Sequence, residues 1–544
     1  MKRPGAPTPS VAAARAELEA ARRCFDLPLR GEDAGRTQQA YTTRIDAFVR
    51  EAATSTRIKG CPPFALVALG GYGREEMAPF SDIDLLFLTG TEWEARWLPF
   101  PEALHRRLWD LGLPVGFSIR SIETALADAR EDLVFQTALL DRRFVGGDPE
   151  RFEAFDARLR VEVHAPQIEA FVAAKLAEQE RRRTRYGDSV YILEPNVRDG
   201  AGGLRDYHLL RWLATLFFPR LPFEELPSAG KMAPESFQAL TRAVAFLWKV
   251  RHHLHRHFRR KNDHLRFEAQ ERIADRLGFR ETKSALAVEH FMRTFYLHAR
   301  TVERETGRWI ETWLEGRSPA PPAGNRRERK QLAEGFVIME GRLTLEDDRL
   351  LRESPERLVT LFREMAHSDV TLHPTLKGMI RAHRFRLDSG VQRHPAAREA
   401  FFEILRSPRA FRVLEEMHDL GILVRWIPEF RKVVCKMQHD LYHVYTVDRH
   451  LLFTVKHLLS LLPGGGDEWG SFVRWTPEME TMRPVLLLAG LLHDIGKGDG
   501  PGHASRGATI VRTIGERLGM SPEAIDLLVF LVSEHLRMAH ISQR

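Results

Sequence analysis

Residues 64–88 of this 544-residue chain read FALVALGGYGREEMAPFSDIDLLFL, an order that few structures other than strand, tight glycine turn and second strand accommodate. The apolar run 64–69 has the length of a buried strand. It breaks at Gly70-Gly71, with Gly73 close behind. A second β-rich run then carries Asp82 and Asp84 between apolar neighbours. Residues i and i+2 of a strand share a face, so the two carboxylates stand side by side, about 7 Å apart at the backbone. Like charges held that close need a cation, and hard oxygen ligands suit Mg²⁺. Glycines at the end of the first strand let phosphates approach backbone N–H groups. A metal-holding carboxylate pair beside such a turn points to phosphoryl or nucleotidyl transfer. The plainer alternative leaves Asp82 and Asp84 solvated. Ile83, Leu85, Leu86, Phe87 and Leu88 argue against it, because they mark a buried strand, and buried carboxylates need a partner.

The glycine pair followed by Asp-x-Asp resembles the polymerase-beta-like nucleotidyltransferases. More narrowly, GGYGR…SDIDLLFL is similar to the bifunctional uridylyltransferase/uridylyl-removing enzymes, which modify the PII nitrogen-signalling protein. The resemblance implies that Asp82 and Asp84 are catalytic and hold Mg²⁺, and that Gly70, Gly71, Arg74 and Ser81 hold the phosphates of UTP. That superfamily often has a third carboxylate on a later strand. The strand expected there, residues 115–119 (VGFSI), offers Ser118 and no acid, so the third ligand is open.

Residues 194–210, EPNVRDGAGGLRDYHLL, are the next unusual stretch. Gly200, Gly202 and Gly203 force an irregular loop, and Leu204 opens a helix. The loop carries Glu194, Asn196, Arg198, Asp199, Arg205 and Asp206. By residue chemistry alone, an interhelix turn and a functional loop both stand. The string is again similar to the same family, which implies a return to the nucleotide cleft, with Arg205 near phosphate and Glu194 or Asp206 orienting groups. Residues 251–267 are rich in Arg and His. Their His252, His253, His255 and His257 lack an i, i+4 ligand pair with acidic company, so they read as a basic, partly exposed helix suited to an anionic partner.

A second constellation lies near the end of the sequence. His450 sits on an amphipathic helix. His493-Asp494 closes an apolar helix expected to end at Gly496-Lys497-Gly498, and His503 and His535 follow. Imidazole and carboxylate suit Zn²⁺, Mn²⁺, Fe²⁺ or Mg²⁺-type centres. The HDIGK stretch resembles the HD phosphohydrolase superfamily, whose ligands run H…HD…D. The resemblance places His450, His493 and Asp494 on a divalent metal, Mg²⁺, Mn²⁺ or similar. It leaves His503 and His535 as further or substrate-facing ligands and gives Lys497 a phosphate-neutralising role. The family's last aspartate is expected beyond Arg544, and so are the ACT domains through which glutamine is sensed. The sequence thus reads as C-terminally truncated, with weak metal binding and slow hydrolysis expected.

The expected fold is α+β: a small mixed-sheet nucleotidyltransferase core, then a helical domain and an all-α HD domain. Residues 1–60 form an N-terminal helical segment and 61–150 the core. Residues 151–320 complete the nucleotide cleft, 321–430 form a helical linker domain, and 431–544 form the HD domain. A Pro- and Gly-rich linker is expected at 316–325. Cys24, Cys61 and Cys435 make neither a disulfide framework nor a C-x-x-C site, which fits a reducing cytoplasm. No apolar stretch has bilayer length and no signal-peptide core opens the chain, so no membrane partner is expected. A net charge of +7 spread over 544 residues is too diffuse to mark a nucleic-acid surface. The resulting expectation is transfer of UMP from UTP to a PII tyrosine and its hydrolytic removal, under glutamine control. The first rival is an RNA-directed nucleotidyltransferase of the tRNA-end-adding or poly(A) type. The Arg clusters lack the interleaved aromatics that a nucleic-acid track uses. The second rival, a nucleotide sensor without turnover, conflicts with the intact Asp82, Asp84 and His493-Asp494.

Overall fold

The computed structural model describes residues 11–26, 33–187, 189–282, 285–317, 329–332, 335–339, 341–437, 445–462, 477–499, 502–537 and 541. The Pro-rich start, residues 318–325 of the expected linker and Gly464-Gly465-Gly466 lie outside them. The chain divides into two compact units. The first takes residues 1–190, 194–279 and 294–310; the second takes 191–193, 280–293 and 311–544.

The first unit is built on β1 (Ala65–Leu69), β2 (Ile83–Thr89), β3 (Val115–Ser121) and β4 (Arg143–Gly147), in the order β3-β2-β1-β4. β2 and β3 run parallel while the other pairs are antiparallel, which is the mixed sheet expected. The central strands β1 and β2 are covered on both faces and read as nearly unbroken apolar runs. Leu66, Ala68, Ile83, Leu85 and Phe87 pack with Tyr41, Ile45, Leu104 and Leu108 from the helices Asp33–Thr56 and Pro99–Asp110. Ala65, Val67, Leu86 and Leu88 pack on the other side with Leu126, Leu139, Phe155 and Leu159. The helix after β3 begins as its sequence dictates, with Ser121 Oγ accepting from the Thr124 N–H at 3.1 Å.

Two expectations need correction here. Gly146-Gly147-Asp148-Pro149, whose composition reads as a turn closing the core, does not simply form one, because Arg143–Gly147 is an edge strand paired with β1. Gly147 makes the pairing possible: its φ is +94°, and a Cβ there would lie 2.2 Å from the Phe64 carbonyl oxygen. The Arg- and His-rich stretch, read as a basic, partly exposed helix, is partly or fully exposed at residues 256–261, while 251–255 are buried. His252 and His255 are fully buried on the helix Pro234–Phe258, and His253 nearly so. Asp263 explains this, since its carboxylate accepts from Arg251 at 2.6 Å and lies 3.1 Å from His255 Nε2. His252 instead packs edge-on to Phe25. Residues 152–185, whose charged sequence has helical periodicity, are helical, interrupted by one π turn at Arg160–His164. Pro166, two residues past the π turn, has no N–H and removes a regular helical bond.

Buried histidines give this unit a pH dependence. Burial, with Arg142 nearby, lowers His164 to about 3. Burial lowers His255 to about 4, the Arg251 charge adding to it and the hydrogen bond to Asp263 opposing it. Each is neutral when folded and takes up a proton near pH 6.5 when unfolded, so stability is present above that pH and is lost as pH falls towards 4. The slope is about 1.4 kcal/mol per pH unit for each histidine. Hydrogen exchange from the helix Pro234–Phe258 should therefore accelerate steeply between pH 6.5 and 5, after correction for intrinsic rates. A flat profile across that window contradicts this reading.

In the second unit, β5 (Arg329–Gln331), β6 (Phe336–Met339), β7 (Arg342–Leu345) and β8 (Thr371–Leu372) form a sheet in that order. The stretch 336–345, which reads in sequence as a small hairpin, supplies β6 and β7, with Phe336 opposite Leu345. One core runs from Phe336 and Leu343 through Phe401 and Trp426 to Leu451, Leu488, Val511 and Val532. The apolar helix before His493 ends earlier than expected, at Leu492, and Gly496, Lys497 and Gly498 lie in a 3₁₀ turn, Ile495–Asp499. No helix among the described residues is long and apolar enough to cross a membrane.

Candidate active sites

The first site lies at the start of β2. Asp84 is on the strand and pairs across to Leu69 of β1 and Gly116 of β3, while Asp82 immediately precedes the strand. The flanking Ile83 and Leu85 are buried as expected, but the carboxylates are not: the Asp82 side chain is 43% exposed and Asp84 is exposed too. Two glycines open this window. A Cβ on Gly116 would lie 2.7 Å from Asp84 Oδ1, and one on Gly70, whose φ is +54°, 3.1 Å from Oδ2. The carboxylate therefore rests where neighbouring side chains are missing. Although its side chain reaches solvent, partial desolvation by the surrounding protein and the like charge of Asp82 raise the Asp84 pKa, against Lys261, Arg198 and Arg74. This is the electrostatic condition in which a carboxylate pair favours a hard cation. Among the described residues, no third His, Cys, Asp or Glu joins the pair in a three-ligand cluster. Ser118 stands opposite Leu86, two residues beyond Asp84.

The glycine turn 70–73 is a single helical turn between β1 and the Arg74-Glu75-Glu76 segment. Arg74 is largely buried. It donates to Glu76 at 2.7 Å and also pairs with Asp141. Glu76 lies 2.8 Å from His208 Nε2 and accepts from Arg211 at 3.2 Å. Burial pushes Glu76 towards its neutral form, but His208 and Arg74 outweigh it and hold the carboxyl far below the usual range. Arg74 thus ties the turn to the helix Leu204–Phe217. Ser81 accepts from the Ala78 N–H at 3.0 Å, closing the bend before Asp82.

The loop at 194–206 is zipped to residues 263–265. The Val197 N–H donates to the Asp263 carbonyl at 2.8 Å, and the Leu265 N–H to that of Pro195 at 2.9 Å. Asn196 Oδ1 accepts from the Arg198 and Asp199 N–H groups. Arg198 is close enough to act on the Asp84 charge. Arg205 lies over the Trp212 ring and 3.7 Å from Asp199; burial, with Arg198 beside it, lowers its pKa to about 10. Asp206 is fully buried and accepts from Gln179, Arg182 and the Gly202 N–H, which makes it the clamp of the glycine loop. Glu194 accepts from the Phe267 N–H at 2.8 Å. Sequence reasoning missed Gly116 and Lys261, whose ammonium pairs directly with Asp82. Gly116 becomes visible only with the β2–β3 register, and Lys261 only once the 263–265 backbone is joined to the 194–206 loop.

The second site gathers five side chains around Asp494. Its Oδ2 lies 3.3 Å from His493 Nε2, 3.7 Å from His450 Nε2 and 2.8 Å from Lys497 Nζ. Its Oδ1 lies 3.4 Å from His503 Nε2 and 3.6 Å from His535 Nε2. Two three-ligand sets result, His450/His493/Asp494 and Asp494/His503/His535, sharing the aspartate. The rings are held in place from behind. His493 Nδ1 donates to the Gly490 carbonyl at 2.9 Å and His535 Nδ1 to that of Val532 at 2.8 Å, which turns each Nε2 lone pair towards the centre. Asp494 Oδ1, His503 Nε2 and His535 Nε2 are buried without a hydrogen-bond partner among the described residues. Such orphaned acceptors fit a divalent cation. Burial disfavours the Asp494 charge, yet the neighbouring His493 and His535 rings and the Lys497 charge hold the carboxyl well below the usual range. Asp448 fixes the helix Val447–Ser460 that carries His450. Fully buried, it accepts from Thr446 Oγ1 at 2.6 Å and from the Cys435 N–H at 3.0 Å.

Comparison with known proteins shows what the chain is similar to. Residues 170–310 match the family model described as GlnD PII-uridylyltransferase, 336–426 the uridylyltransferase GlnD third domain, and 447–543 the HD domain. The chain is 35% identical over 540 residues to a bifunctional uridylyltransferase/uridylyl-removing enzyme from Azospirillum brasilense, covering 97% of this chain and 57% of that protein. Enzymes of the same name from Novosphingobium aromaticivorans and Rhodopseudomonas palustris are 37% and 36% identical, over 87% and 88% of this chain and 52% and 53% of theirs. The chain spans about half the length of the curated relatives it matches. Nucleotidyltransferases and HD domains are, as classes, dependent on divalent metals.

Proposed function

We propose that this chain, which carries GlnD-type uridylyltransferase and HD domains, transfers UMP from UTP to a tyrosine of a PII protein and hydrolyses it off again. The observation that carries the reading is that one chain holds two chemically different phosphate-handling centres, in a sequence similar to enzymes named for both activities. Asp82 and Asp84 bind Mg²⁺, with Gly70, Gly71 and Ser81 shaping the turn that receives the triphosphate. Arg74 and Arg205 supply positive charge around it, Arg74 from within its ion-pair network. In transfer, the tyrosine oxygen bonds to the α-phosphorus and the α–β bridge breaks, releasing pyrophosphate. At the second centre, His450, His493, Asp494, His503 and His535 hold a divalent cation, Mg²⁺ or Mn²⁺, and Lys497 neutralises phosphate. There, water adds to phosphorus and the bond to the tyrosine oxygen breaks, releasing UMP. At both centres the bound cation would supply charge neutralisation and activation of the attacking oxygen.

Glutamine as the signal that sets the balance of the two reactions, a cytoplasmic location and the five-part division of the chain given above belong to the same proposal. The comparisons do not favour the RNA-directed alternative. Labelled UTP offered with PII and a short RNA tests the choice, with label expected on PII alone; label on RNA alone contradicts it. Gly116→Ala gives a sharper local test. The new methyl group collides with Asp84 Oδ1, so transfer should fall about 10- to 100-fold, as misplacements of this size do. The thermal midpoint should shift little, and an unchanged rate means that Asp84 does not depend on this cradle.

A further inference from the structure

Three cations act on the Asp82–Asp84 pair, and they are not equivalent. Arg74 is committed to Glu76 and Asp141 with its side chain 8% exposed. Arg198 leans towards Asp199 and Asp263, 3.9 Å from each. Lys261 places its ammonium directly on Asp82 Oδ2 while remaining 41% exposed.

The backbone around Lys261 is fixed. Asn262 Oδ1 accepts from the His264 N–H at 3.1 Å, Asp263 is tied to Arg251 and His255, and residues 263–265 are zipped to the 194–206 loop. The main chain is anchored, but the four-carbon stem can swing. A divalent cation entering the pair needs the carboxylate that the ammonium occupies. The displaced ammonium is then tethered beside the phosphates that arrive with the cation.

We infer that Lys261 exchanges between Asp82 and the nucleotide: it neutralises the carboxylate pair when no divalent cation is bound, and it contacts a phosphate oxygen once cation and nucleotide enter. The inference rests on the reading of Asp82 and Asp84 as the nucleotide site. Lys261 is thereby a substrate-contacting residue and also a brake on cation binding without nucleotide.

The test uses the full chain carrying Asp494→Asn, so that bound cation reports the transferase site alone. Mn²⁺ alone is titrated and read by the paramagnetic resonance of the free ion, for the parent, Lys261→Ala, Lys261→Arg and Asp84→Asn. Lys261→Ala should bind Mn²⁺ up to about fivefold more tightly, because a half-exposed ion pair no longer competes. The same variant should show KM for UTP raised about 10- to 100-fold through loss of a charge-assisted phosphate contact, with Lys261→Arg recovering most of it. A residue that only braces the loop would not tighten Mn²⁺. Unchanged or weaker Mn²⁺ binding in Lys261→Ala, or an unchanged KM, overturns the inference. If Asp84→Asn binds Mn²⁺ as well as the parent, the site reading itself fails; if it loses Mn²⁺ while Lys261→Ala changes nothing, only the exchange fails.

Discussion

Asp84→Asn is expected to lower UMP transfer by about 10³-fold or more, since an amide keeps the shape of the side chain but not the charge that a divalent cation and a triphosphate require. The substitution fits the existing cradle, because Gly116 and Gly70 crowd the carboxylate only where a Cβ would be added. It also removes one of two like charges whose proximity raises the Asp84 pKa. The fold should therefore be kept, with a thermal midpoint equal to or above that of the parent. Removal of UMP from modified PII should persist, because its ligands come from other elements of the chain. Near-normal transfer by this variant would show that the pair is not the cation site.

Asp494→Asn is the mirror experiment. Asp494 is shared by both three-ligand sets, so one change removes a ligand from each and leaves a cluster of imidazoles with Lys497. Metal bound at this centre, beyond what the Asp82–Asp84 pair holds, should fall close to zero and UMP removal by about 10³-fold or more, with transfer retained. Lys497 loses its ion pair with the buried Asp494, and some loss of stability follows. His503→Gln separates the two effects: it leaves Lys497–Asp494 intact and withdraws one ligand from one set. Partial loss of metal is expected there with little change in midpoint. Full metal content in Asp494→Asn contradicts the placement of the centre.

How much of this was legible beforehand can be seen at particular residues. The strand–turn–strand at 64–88 was, because apolar runs bounded by glycine admit little else, and β1 and β2 fall within a residue of where they read. The Asp-x-Asp pair and the histidine–aspartate cluster were legible as chemistry. Residue type was enough to name His450, His493, Asp494, His503 and His535, although their convergence required four separate helices and turns to pack. Exposure was not legible. The apolar flanks of Asp84 promised a buried carboxylate, and the window that opens it comes from Gly116, whose position opposite Asp84 depends on strand register. The reverse happened at His252 and His255. A basic composition read as surface, but Asp263, eight residues past His255, neutralises the stretch and lets it enter the core. Tertiary pairing decides such cases. Arg74 makes the same point, since a phosphate-facing arginine and one held by Glu76 and Asp141 look alike in sequence.

The central claim is that one chain both adds UMP to a protein tyrosine and removes it by hydrolysis, at two separate centres. The intact mass of PII, followed through one cycle with a single preparation of this chain, tests it most directly. With UTP and Mg²⁺ present, PII should gain the mass of one uridylyl group per subunit. After UTP and pyrophosphate are removed and Mn²⁺ is supplied, the added mass should disappear and UMP should accumulate in equal amount. An adduct that never forms, or one that persists until pyrophosphate is restored and then leaves as UTP, would contradict the account.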